Sequence, residues 1–126
     1  MAETATPRQY LDQAPEAGRP WLQEFWHYLA VRAPRLEPVM FRQVPMYRFE
    51  ASYLKGYVMF TAAKGHFSVH AIDFDLVAAA QATIPGAFGG KGSVSVKYTN
   101  EGAKPALKEF VDVVLARHGF LDAIME

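Results

Sequence analysis

Tyr57-Val58-Met59-Phe60-Thr61-Ala62-Ala63-Lys64-Gly65-His66-Phe67-Ser68-Val69-His70-Ala71-Ile72 decides the fold. Both halves are rich in β-branched and aromatic residues, and Lys64-Gly65 between them supplies a turn, so the stretch reads as two antiparallel strands. Successive strand side chains face opposite sides. In the second half Phe67, Val69 and Ala71 therefore point one way, and His66, Ser68 and His70 the other. One face of the sheet is apolar and the opposite face is polar.

Working outward, the same texture predicts strands at Val39 to Gln43 and Met46 to Ala51, punctuated by Pro45, ahead of Tyr57 to Ala62 and His66 to Ile72. A fifth strand follows from Ser93 to Thr99, with Val94, Val96 and Tyr98 on one face and Ser93, Ser95 and Lys97 on the other. Helices flank the strands. Thr6-Pro7 is a capping residue with proline at the first helical position, opening a short helix that stops near Ala14. Leu22, Phe25, Trp26, Leu29 and Ala33 recur at helical spacing in a segment closed by Pro34. Asp73 is placed to cap a helix running to Ile84-Pro85-Gly86. Pro105 opens a final helix whose stripe is Leu107, Phe110, Val111, Val114 and Leu115, closed by His118-Gly119. The order ααββββαβα predicts an α+β fold, a five-stranded antiparallel sheet with helices on one face. The other face carries His66, Ser68, His70, Ser93, Ser95 and Lys97, with Thr61 and Arg42.

The chain has 126 residues, and its 13 basic and 13 acidic residues cancel. That length suits one domain, 1–126, with its core from about 7 to 118, and needs no staple. A zero net charge argues against nucleic acid as a partner. Cysteine is absent, which removes disulfides, thiol catalysis and thiolate metal sites. The start lacks a basic-then-apolar leader, and no apolar run approaches the roughly 18 residues that span a bilayer. The expectation is a cytoplasmic protein with no membrane partner, a monomer or homodimer. Charge is nevertheless polarised along the chain. Residues 31 to 70 hold six basic residues, Arg32, Arg35, Arg42, Arg48, Lys55 and Lys64, against Glu37 and Glu50. That segment has a net charge of +4, and the stretches before and after it each carry −2.

The run from Thr6-Pro7 to Ala14-Pro15, then Gln43-Val44-Pro45-Met46-Tyr47, Lys64-Gly65-His66-Phe67, Gly90-Lys91-Gly92-Ser93-Val94 and the closing Ala-Leu-Lys-Glu-Phe helix resemble the YdhG-like family of small bacterial domains. The resemblance spans about Pro7 to His118. It implies a compact α+β domain of unassigned function, with a strand-turn-strand element at Pro45-Met46-Tyr47 and a Lys-Gly turn before the last strand. Some members are described as frataxin-like iron chaperones, so iron is the one cofactor the resemblance suggests. Hard iron prefers clustered oxygen ligands, whereas the early acids here, Glu3, Asp12, Glu16 and Glu24, are dispersed. Gln43 stands where many relatives have glycine.

Several motifs invite chemistry. Four residues of strand span ~13 Å, so His66 and His70 share a face but cannot reach one metal ion with bonds of about 2.1 Å. Pro85-Gly86-Ala87-Phe88-Gly89-Gly90-Lys91-Gly92 lacks the first glycine and the final Ser/Thr of a phosphate-binding loop, and a strand follows it. Either its backbone amides and Lys91 hold an anionic group, or it is a flexible connection using glycine for its backbone angles. A small hydrolase-type enzyme would need His66 or His70 within hydrogen-bond reach of Asp73, Asp75 or Glu37. Phe41, Met46, Tyr47, Phe49, Tyr53, Tyr57, Met59 and Phe60 cluster on the first hairpins, and some of Met46, Tyr47, Tyr53 and Tyr57 should emerge away from the helices. The leading expectation is a non-catalytic binding module for a small anionic molecule or a protein partner, with Tyr47, Lys64, His66, His70, Lys91 and Lys97 as its ligand-binding residues. A frataxin-like iron-binding chaperone and a small hydrolase are the alternatives.

Overall fold

The computed structural model describes residues 6–120; the first five and last six residues, with Glu3 among them, lie outside the described part. Thr6 accepts a hydrogen bond from the Gln9 amide and opens α1 (Pro7–Gln13). A short 3₁₀ turn at Glu16–Gly18 leads into α2 (Arg19–Arg32), where Pro20 occupies the first turn. There its missing N–H is no loss. Five strands follow the predicted order: β1 (Val39–Phe41), β2 (Val44–Arg48), β3 (Tyr57–Ala62), β4 (His66–His70) and, after α3 (Phe74–Thr83), β5 (Ser93–Lys97). The chain then forms α4 (Lys104–Arg117). The strands lie in sequence order, each antiparallel to its neighbour. The fold is α+β, as predicted, and no described helix is long and apolar enough to cross a membrane.

All four helices serve one face. Tyr47, Val58, Phe60, Phe67, Val69, Val94 and Val96 pack with Trp21, Leu22, Phe25, Leu29, Leu107 and Leu115 into one core. Trp21, Phe25, Phe60 and Phe67 form its centre, with the Phe25 and Phe67 rings 4.8 Å apart. Burying such rings is the largest apolar contribution available to a chain this size.

Two local expectations are corrected. The first turn is not at Pro45, and Pro45-Met46-Tyr47 is not a strand-turn-strand element. Arg42 and Gln43 form the turn, both left-handed with φ 51° and 69°, and Val44 faces Phe41 across it. Two successive left-handed residues give a two-residue hairpin whose twist matches its strands. Pro45 is held within β2, opposite Met40, and the ladder to β3 begins at Met46, as a residue without an N–H requires. The second correction concerns Asp73. It sits at the start of α3 but makes no side-chain cap; its carboxylate is taken by α4.

Candidate functional site

The register defines the helix-free face row by row. One row crosses the whole sheet, Val39, Met46, Met59, His70 and Ser93. The next holds Thr61, Ser68 and Ser95, and it is extended by Phe88, whose backbone exchanges two hydrogen bonds with Ser95. His66 faces Lys97 at one end, and Arg48 faces Tyr57 at the other. The half nearest β1 is apolar and aromatic. The half nearest β5 is polar.

Its polar groups are mostly satisfied internally. Thr61 Oγ1 lies 2.8 Å from His70 Nε2, and the buried hydroxyls of Ser68 and Ser95 are 2.7 Å apart. Burial, and after it the neighbouring His66, holds the His70 imidazole below its ordinary range. His66 meets Phe88 edge-on at 5.3 Å.

The expected ligand-binding residues do not converge. His66, Lys97 and Lys64 gather at the β3–β4 turn. His70 lies at the far end of its strand, tied to Thr61. Lys91 sits beyond that end, its ammonium 5.1 Å from the Phe74 ring centroid. Tyr47 lies on the opposite, helix-covered face, 6% exposed; burial pushes its hydroxyl up to about 12. Of the four residues weighed for the outer side, Met46 and Tyr57 lie on it, and Tyr53 packs against it through Phe41. The glycine-rich loop is pinned rather than a flexible connection. Gln81 donates to Gly90 and Ser93 carbonyls, Asn100 to Pro85, and the Gly90 amide to Ser93 Oγ. Gly89, at φ 136°, leaves no room for a side chain beside the Ser93 carbonyl.

The histidine that meets a carboxylate is one that sequence reasoning assigned to capping. His118 caps α4 and also places Nε2 3.1 Å from Asp73 Oδ2. Arg117 bridges Asp73 and Asp75, and its guanidinium holds the Asp75 carboxyl down to about 2. Neither His66 nor His70 reaches these acids. Among the described residues no group of three or more histidines and carboxylates could hold a metal ion; Asp12 pairs with Arg8, and Glu24 with Lys104 and Lys108.

Ion pairs are segregated. Among the described residues every salt bridge joins helices, their ends or the turn before α4. Arg42, Arg48, Lys55, Lys64 and Lys97, on the strands and their turns, make none. No acidic side chain stands in the rows of the helix-free face. Two clefts lie instead on the helix side, an apolar groove of about 390 Å³ between α3 and α4 and a more open one of about 600 Å³ lined by Tyr28, Lys108 and Asp112.

No family model matches the chain, and no curated protein is significantly similar to it. Among solved structures it is similar to the crystal structure of a DUF1801-family protein, YdhG, from Bacillus subtilis, with a TM-score of 0.70 over 87% of this chain and 88% of that one. The chain has the fold of a DUF1801 protein. At 15% identity the likeness is one of architecture, the level at which the short motifs resembled the YdhG-like family.

Proposed function

We propose that this protein is a non-catalytic binding module whose helix-free sheet face receives an anionic partner, an acidic segment of another protein. The observation that carries this reading is the segregation of charge. Carboxylates neutralise the cations of α4, with Arg8 and Arg32, whereas those of the strands and turns keep their charge for a partner. A one-sided field of this kind steers and orients an acidic surface. The breadth of the face, which spans all five strands, suits an extended macromolecular contact better than an enclosed small anion.

The test is fluorescence anisotropy with a labelled glutamate-rich peptide at low salt. Binding should weaken by about tenfold or more in a Lys64→Glu, Lys97→Glu variant and should fall with added salt. Arg8→Glu, on the helix side, should leave it unchanged. Absence of binding, or binding indifferent to the sheet charges, overturns the proposal.

A further inference from the structure

The segment between β2 and β3 sends Tyr53 onto the helix-free face. Phe41 on β1 and Tyr57 on β3 stand at diagonally opposite corners around Met46. The Tyr53 ring touches both, 4.9 Å from Phe41 and 6.3 Å from Tyr57. A ring bridging those corners lies over the position between them. Met46 is 1% exposed, although among the described residues no helix packs on its side of the sheet.

The covering segment is held to itself, not to the sheet. Ser52 caps its single 3₁₀ turn, and the Lys55 and Gly56 amides donate to Ser52 and Tyr53 carbonyls. The Phe49 amide donates to the Gly56 carbonyl at 3.2 Å, closing the neck. Beyond that neck, no hydrogen bond or ion pair among the described residues ties it to the face, which Tyr53 meets through its ring contacts with Phe41 and Tyr57. Leu54 at its tip is 69% exposed. The neck is anchored: Phe49 stacks on His118 at 4.4 Å. Gly56 has φ 123°, where a Cβ would stand 2.6 Å from His118 and 2.8 Å from Phe49. Internal hydrogen bonding, a glycine pivot and the absence, among the described residues, of hydrogen bonds to the surface beneath describe an element that moves as a unit.

We infer that residues 50–55 form a flap that swings at the Phe49–Gly56 neck and uncovers Met46, Phe41 and Tyr57, enlarging the face for its partner. This rests on the binding reading above, and adds its regulation: the closed flap hides the apolar half of the surface, and an arriving partner stabilises the open form.

The test uses the whole protein and hydrogen peroxide, following Met46 sulfoxide by peptide mass spectrometry. If the flap opens, Met46 oxidises at a rate independent of urea below the unfolding transition. Tyr53→Ala accelerates it about tenfold or more, and Tyr53→Phe leaves it unchanged. Oxidation that follows the urea dependence of global unfolding overturns the inference, as does a folded Tyr53→Ala variant with no acceleration. Should that variant not fold, the wild-type urea series decides alone. No partner is present, so failure here removes the flap and leaves the acidic-partner reading to its own experiment.

Discussion

His118 Nε2 lies 3.1 Å from Asp73 Oδ2, joining the last turn of α4 to the first residue before α3. The carboxylate that local pattern assigns to helix capping is thus spent on a contact 45 residues away, and Arg117 Nη1 lies 3.3 Å from the same oxygen. Asp73 is 9% exposed.

Removing that carboxylate leaves the half-buried His118 ring without this partner, while both arms of Arg117 keep Asp75. Asp73→Ala should therefore destabilise the fold by about 2 kcal/mol, and Asp73→Asn by roughly half as much, because the amide oxygen still accepts. Urea unfolding measures both. Equal stability of Asp73→Ala and wild type would show that the pairing contributes nothing.

Arg42 and Gln43 both adopt left-handed conformations, each of which costs an L-residue on the order of 1 kcal/mol. Gln43→Gly relieves one, partly offset by the extra freedom glycine gives the unfolded chain. The net stabilisation should be about 0.5 kcal/mol, read as a higher urea midpoint at unchanged slope. A loss of stability would contradict the strain.

Ser68 and Ser95 satisfy one another in a buried pair. Either alanine substitution strands the remaining hydroxyl and should cost about 1–2 kcal/mol. The double substitution removes both groups and should cost distinctly less than the two singles together. Strict additivity in this double-mutant cycle would mean the hydroxyls do not depend on each other.

His70 predicts a pH dependence. Its folded pKa is lowered from 6.5, by burial first and His66 second. The unfolded chain therefore takes up this proton more readily. Its contribution is fully present above the unfolded value and is lost as pH falls through 6.5 toward the lowered one. His70→Gln should flatten the decline of stability between neutral and mildly acidic pH. Parallel curves for variant and wild type would refute it.

Element order, the alternation of β4 and β5 and the polar outer face were legible in the sequence because each follows from a local period or a capping residue. What sequence did not disclose depends on register or long separation. The turn at Arg42-Gln43 lacks glycine, so Pro45 drew the boundary instead. Tyr47 and Met46 alternate on one strand, and only the pairing of Met46 with Met59 decides which faces the helices. The polarised charge was visible as a +4 segment, but that its strand cations make no salt bridge among the described residues required the fold. His118 read as a cap, since nothing local relates it to Asp73. Phe88 sits in a glycine-rich run whose composition hides its bridge to Ser95.

The most direct measurement is a map of amide chemical shifts as a glutamate-rich peptide is titrated into the labelled protein. Saturable shifts are expected at Arg48, Thr61, Lys64, His66 and Lys97 and their strand neighbours, with the segment from Phe49 to Gly56 following if the flap opens. Shifts centred on the groove between α3 and α4, or none at all, would contradict it.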